Sequence, residues 1–176
     1  DLPHAPYLTA LVIGEFSVVE DSVDNLPLRY LVEEKYVKGA REVFKNTPAM
    51  VAFFSDLLGV DFPWQKYDQI VVSDFVTGAM ENTTASIFME DLNLDEREAK
   101  DSEWDWIIAH ELFHQWFGDY VTAESWSNLT VNESFANFVG ARGAEAFFRA
   151  RGETASADEV VNRWEDDKRL ARFWSS

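Results

Sequence analysis

The stretch that decides the fold is His110-Glu111-Leu112-Phe113-His114, within residues 102–117. Apolar side chains recur there every three or four residues, as on one face of a helix. The two histidines are four residues apart, which places them on one helix face with Cβ atoms about 5–6 Å apart. Both imidazoles can then reach one metal ion at the zinc–nitrogen distance of about 2.0–2.1 Å.

Two glutamates complete this pattern. Glu111 points about 100° away from His110 around the helix, so it reaches a water on the metal more easily than the metal itself. That position suits a general base. A catalytic zinc also needs a third protein ligand, and Glu133 on the next predicted helix is the candidate. The sequence therefore predicts a zinc site of His110, His114 and Glu133, with one Zn²⁺ per chain and Glu111 as catalytic residue.

The alternative for His110 and His114 is a pair of buried core histidines. A short His-Glu-x-x-His pattern also occurs by chance on helices. The intact apolar face of the helix and the acid on the following helix favour the metal site.

The first half of the chain predicts strands. Residues 7–19 alternate and are rich in β-formers, 28–32 and 69–72 are short apolar runs, and 83–89 suggest a strand at a sheet edge. Residues 21–27 are expected to form a turn.

Helices are predicted over 34–45 and from Thr47, as N-cap, to a stop at Gly59. Further helices are predicted over 102–117, capped by Asp101 or Ser102, over 128–149, and after a capping box at 156–159. Strands followed by helices indicate an α+β fold.

Composition narrows the classes of function. The chain of 176 residues has a net charge of −17 and no cysteine. The charge disfavours nucleic acid and anionic membranes as partners, and it favours cationic ligands or simply a solvated acidic surface. The absence of cysteine excludes disulfides, thiolate ligands and cysteine nucleophiles. No apolar run approaches the roughly 18–20 residues that span a bilayer, and no signal peptide is visible, so the compartment is left open.

A second motif, Gly78-Ala79-Met80-Glu81-Asn82, precedes the histidine helix. Together with residues 110–119 and the Glu133 segment, it resembles the M1 family of zinc aminopeptidases, which are gluzincins. The resemblance covers roughly residues 7–149. It implies a thermolysin-like metallopeptidase catalytic core with a mixed sheet, truncated at its C-terminus, over residues 26–176. Residues 1–25 would be the tail of an N-terminal β-domain.

The resemblance also implies roles for the second motif. Glu81 would bind the free α-amine of a peptide substrate, and Gly78, Ala79, Met80 and Asn82 would line the peptide cleft. From the sequence alone, Glu81 would instead be an exposed acid in a turn.

The family's oxyanion tyrosine has no counterpart here, because no tyrosine follows Tyr120. We therefore expect a fragment of a larger enzyme that binds zinc and has weak or no peptidase activity, with the enzyme's remaining domains as further partners. Two alternatives stay open: a thermolysin-type endopeptidase and a non-catalytic zinc-binding module.

Overall fold

The computed structural model describes residues 2–76 and 78–150, the last ten of them as helix backbone only. The helix predicted after the capping box at 156–159 lies outside the described residues. The strands and longer helices, in chain order, are β1 (Ser17–Val23), β2 (Leu26–Val32), α1 (Val37–Val43), α2 (Thr47–Leu58), β3 (Tyr67–Val71), β4 (Ala79–Met80), β5 (Ala85–Phe88), α3 (Asp105–His114) and α4 (Leu129–Ala150).

The strands form one mixed sheet in the order β1-β2-β3-β5-β4. β1 and β2 are an antiparallel hairpin, β2, β3 and β5 run parallel, and β4 pairs antiparallel with β5. The parallel step from β2 to β3 requires a crossover, which α1 and α2 supply. The α+β prediction is thus confirmed.

The hydrophobic core lies between the sheet and the helices. Phe44 stacks on Tyr30 of β2, and Phe54 of α2 contacts Phe113 and Trp116 at the end of α3. All five side chains are buried. The histidine-bearing end of α3 is therefore anchored by aromatic packing to α2.

The prediction of one strand over residues 7–19 is wrong for most of its length. Pro6–Leu8 is a short 3-10 helix, and residues 9–16 belong to no strand. Leu11 and Ile13 are 84% and 85% exposed. The alternating pattern has no buried face in that segment, and strand pairing begins only at Ser17. The predicted turn at 21–27 is shorter in the structure, at residues 24–25, because strand pairing continues to Val23 and resumes at Leu26.

Three details of the other elements also differ from prediction. The strand predicted at the sheet edge, β5, lies between β3 and β4, and the short β4 forms that edge. Asn46 is the N-cap residue of α2, whereas Thr47 begins the helix and donates its hydroxyl to Gln69. Trp104 occupies the N-cap of α3, without a side-chain cap. Gly59 ends α2 in the left-handed conformation, as predicted.

The domain boundary predicted after residue 25 falls in the turn between β1 and β2, and it stays a prediction. Among the described residues, no helix combines the length and apolarity needed to cross a membrane.

Candidate metal centre and amine site

Helix α3 places the two histidines side by side. Nε2 of His110 lies 3.0 Å from Nε2 of His114. His114 is fully buried, and the side chain of His110 is 14% exposed. The helix spacing has therefore brought both ring nitrogens to one point that remains open to solvent on one side.

The ring of His114 is oriented by the turn that follows α3. Nδ1 of His114 lies 3.0 Å from the carbonyl oxygen of Phe117. A carbonyl can only accept a hydrogen bond, so Nδ1 carries a proton, and the neutral ring would offer the lone pair of Nε2 to a metal ion. Gly118 makes this possible: its φ is 136°, and a Cβ there would lie 2.9 Å from Nδ1 of His114.

Helix α4 brings Glu133 to the same point. Its carboxylate oxygens lie 3.5 Å from Nε2 of His110 and 3.7 Å from Nε2 of His114. The helices approach closely where Gly140 of α4 meets the backbone of His110. A Cβ on Gly140 would lie only 3.1 Å from the Cα of His110.

The three side chains fit a tetrahedral metal ion. One ligand atom from each residue lies within 4.8 Å of the others. The two Nε2 atoms are 3.0 Å apart, Oε2 of Glu133 lies 3.5 Å from His110, and its Oε1 lies 3.7 Å from His114. Ligands about 2.0–2.1 Å from a tetrahedral zinc are about 3.3–3.4 Å apart. Two imidazoles and one carboxylate also match the donor types that zinc takes in catalytic sites.

The electrostatics of this cluster favour a cation. Burial alone would lower the pKa of His114, but the carboxylate of Glu133, with Glu81 and Glu111, raises it to about 9. Burial would raise the pKa of Glu133, but the imidazoles of His110 and His114 beside its carboxylate hold that pKa well below its usual range. In the metal-free chain the nearby carboxylates stabilise a second proton on the ring of His114. A bound metal ion would replace this proton as the positive charge at the site.

Glu111 is buried beside these ligands. It is 5% exposed, and its Oε2 has no hydrogen-bond partner within the described part of the chain. Burial raises the pKa of Glu111 to about 8, against the opposing charge of His114. A carboxyl group in this environment is poised to exchange a proton near neutral pH.

Glu81 lies in the turn between β4 and β5. It is 7% exposed, so it is not the exposed acid that the sequence alone suggests. Its charge contributes to raising the pKa values of both Glu111 and His114, which places its carboxylate in the same electrostatic cluster. The rest of its motif forms the sheet edge: Ala79 and Met80 are β4, Gly78 accepts a hydrogen bond from Met89, and Asn82 donates to the carbonyl of Leu8.

The family is decided by a match over most of the chain. Residues 42–171 match the peptidase family M1 domain. The chain belongs to peptidase family M1. It is 34% identical to glutamyl aminopeptidase of Bos taurus over an alignment of 178 residues, which covers 97% of this chain and 18% of that protein.

Plant relatives of this M1 chain are equally similar. It is 37% identical to aminopeptidase M1-A of Oryza sativa subsp. japonica over 150 residues, covering 81% of this chain and 17% of that protein. For aminopeptidase M1 of Arabidopsis thaliana the identity is 33%, with 81% and 17% covered. The chain thus spans less than a fifth of the length of these relatives.

Three residues near the M1 site were missed by the sequence reasoning. Tyr7 packs on Trp126 and is close enough to Glu81 for that charge to add to the effect of burial in raising its pKa. Asp119 is 1% exposed, and burial together with the charge of Glu81 raises its pKa to about 8. Gln115 is fully buried and contacts the Glu81 turn. The sequence could have indicated Gln115, because it is a polar residue directly after the histidine pair. Tyr7 is distant from the motifs in sequence, so no sequence pattern links it to the site.

Proposed function

We propose that this chain is the core of a zinc-dependent aminopeptidase, which removes N-terminal residues from peptides by attack of a metal-activated water. The observation that carries the proposal is the convergence of the ligand atoms of His110, His114 and Glu133 beside the buried carboxyl of Glu111. Membership of family M1 and the shared word aminopeptidase in its relatives' names support it.

Metal binding and proton transfer are assigned to different residues of the site. Zinc held by His110, His114 and Glu133 supplies Lewis acidity towards the scissile carbonyl and acidifies water. Glu111 accepts the proton of the attacking water and returns it to the leaving amine. Burial, the largest cause of the raised pKa of Glu111 in the metal-free chain, favours the neutral carboxyl that carries the proton between these two steps.

The carboxylate of Glu81 would pair with the ammonium group of the substrate. Because Glu81 sits in a tight turn at a fixed place beside the histidine helix, it would set the scissile bond one residue from the amine. The cleft segment Gly78, Ala79, Met80 and Asn82 would hold the peptide backbone along the edge of the sheet. The names of the relatives agree on aminopeptidase and only some specify a residue, so the proposal leaves the preferred N-terminal residue open.

The metal site is tested by zinc content. We expect about one zinc per chain after reconstitution and dialysis, and loss of that zinc in His110→Ala. His4→Ala is the matched control, because His4 is exposed and its ring lies 3.4 Å from the hydroxyl of Thr9, outside the group of three metal-binding side chains. Equal zinc in both variants would remove the basis for the site.

The amine site is tested by binding. The zinc-loaded chain should bind an amino-acid hydroxamate more tightly than its N-acetylated form, because only the free amine can pair with Glu81. Glu81→Gln should abolish this preference, whereas Glu90→Gln, which changes an exposed acid on the other side of β5 in sequence, should keep it. A wild-type chain that prefers the acetylated ligand would favour the endopeptidase instead.

A further inference from the structure

Gln115 connects the two halves of the proposed site. Its side-chain Oε1 accepts a hydrogen bond of 2.8 Å from the backbone N–H of Thr84, and its Nε2 donates one of 3.2 Å to the carbonyl oxygen of Glu81. The side chain is fully buried. One amide group therefore joins the end of the metal-binding helix to the turn that carries the amine-binding carboxylate.

The backbone of Gln115 is itself fixed. Its N–H donates to the carbonyl of Leu112 in the last turn of α3, and its own carbonyl accepts a hydrogen bond of 3.0 Å from Trp64. It directly follows His114, which supplies one of the three metal-binding atoms. Because the backbone of Gln115 is fixed, its side-chain hydrogen bonds hold the Glu81 turn at a fixed place relative to α3.

The turn needs such support. Thr84 has a φ of 66°, a left-handed conformation that costs a non-glycine residue energy unless its surroundings impose it. Its carbonyl accepts from the N–H of Asp68 on β3, while its N–H is taken by Gln115. The sheet thus holds the turn from one side and Gln115 holds it from the other.

We infer that Gln115 is a positioning residue that fixes the distance between the amine-binding carboxylate of Glu81 and the metal ligands. This inference rests on the proposed function and deepens it. Gln115 does not touch the reacting atoms; it sets where the ammonium group is held relative to the metal, and so how strongly free-amine ligands are preferred.

The test is Gln115→Met, which preserves side-chain length and removes both hydrogen bonds. We measure zinc affinity, and then the affinities of the zinc-loaded chain for an amino-acid hydroxamate and for its N-acetylated form. We expect the ratio of the two hydroxamate affinities to fall by about tenfold, as two buried hydrogen bonds are lost. Zinc affinity and binding of the acetylated ligand should stay within about threefold of wild type, since α3 and its histidines are not altered.

Gln69→Met is the matched control. Gln69 is also fully buried, and its side chain accepts a hydrogen bond from Thr47 instead of contacting the Glu81 turn. The amine preference should survive in this variant. Equal loss of preference in Gln69→Met and Gln115→Met would reduce the role of Gln115 to general stability.

The outcomes separate this inference from the function on which it rests. No preference for the free amine in the wild type overturns the proposed function, and the positioning role with it. A wild-type preference that Gln115→Met retains overturns the positioning role alone.

If Gln115→Met fails to fold, hydrogen exchange of the wild type decides. The N–H of Thr84 should be strongly protected, because a buried side chain accepts its hydrogen bond. Exchange at the rate of an exposed turn amide would overturn the inference.

Discussion

At the scale of single residues, the absence of a side chain at Gly118 allows the ring of His114 to keep its orientation. Gly118→Ala would place a Cβ 2.9 Å from Nδ1 of His114 and would impose a φ of 136° on alanine. We expect zinc affinity to fall at least about tenfold, because the ring must turn away from the Phe117 carbonyl that orients it. The measurement is competition for zinc against a chelator of known affinity.

Gly59→Ala separates this effect from backbone strain. Gly59 also has a positive φ, of 63°, but a Cβ there would meet nothing within 4 Å. Both variants should lose stability, by about 1 kcal/mol or more, while only Gly118→Ala should lose zinc affinity. Equal zinc affinity in the two variants would show that the close contact with His114 is tolerated.

The buried acids predict how the metal-free chain responds to pH. The pKa values of Glu111 and Asp119 are raised to about 8 in the folded chain, so the folded state holds protons that the unfolded state has already released. The free energy of unfolding should therefore decrease as pH rises from about 5 towards 8. The pKa of His114 is raised to about 9, so the free energy of unfolding should continue to decrease between pH 7 and 9.

Urea denaturation with chelator at several pH values checks this. In Glu111→Gln the dependence between pH 5 and 7 should be shallower by about 1 kcal/mol per pH unit, the contribution of one proton. A slope identical to wild type would show that Glu111 is ionised in the folded metal-free chain.

Sequence spacing was sufficient to select the residues that converge on one point. The helix repeat predicts that His110 and His114 share one face, and the position of Glu133 on the next helix makes it the candidate third ligand. The contributions of Gly118 and Gln115 could not be derived in this way, since they depend on the turn after α3 and on a strand pairing that only the tertiary structure fixes.

At the scale of elements, the site depends on how closely α4 crosses α3. Gly140→Ala should strengthen α4 as an isolated helix, by about 1 kcal/mol of helix propensity. The new Cβ would meet the Cα, N and Cβ of His110 at 3.1, 3.3 and 3.4 Å, so the helices must move apart. Because Glu133 lies two turns earlier on α4, we expect zinc affinity to fall about tenfold.

Zinc competition measures this as well. Ser134→Ala is the control, because Ser134 is exposed on the same helix and next to Glu133. Unchanged zinc affinity in Gly140→Ala would mean that the helix contact does not set the position of Glu133.

The helices were predicted more accurately than the strands. Periodicity and the glycine stop located α2 and α4 to within a few residues. The prediction of a strand over residues 7–19 was wrong because an alternating pattern shows only that a strand could have one apolar face. It does not show that a neighbouring strand is available to pair with it. The prediction that β5 lies at the sheet edge was wrong because β4 occupies that edge. β4 is only two residues long, too short to be recognised as a strand from the sequence.

At the scale of the whole molecule, zinc should stabilise the fold. The proposed ligands come from two helices, so an ion that binds only the folded chain would raise the free energy of unfolding, by about 2.7 kcal/mol at a concentration a hundred times its dissociation constant. Urea denaturation with and without zinc measures the gain. His114→Ala should show no gain; equal stabilisation of that variant would locate the binding elsewhere on this acidic chain.

The strand order β1-β2-β3-β5-β4 also has a consequence for synthesis on the ribosome. The outer edge of β3 finds its parallel partner only when β5 has left the exit tunnel, and β4 can dock only onto β5. The turn that carries Glu81 joins those two strands, so its residues emerge after the hairpin and crossover helices that precede it. The histidine helix emerges later still, so all five strands are available for pairing before the residues that would bind a metal leave the tunnel.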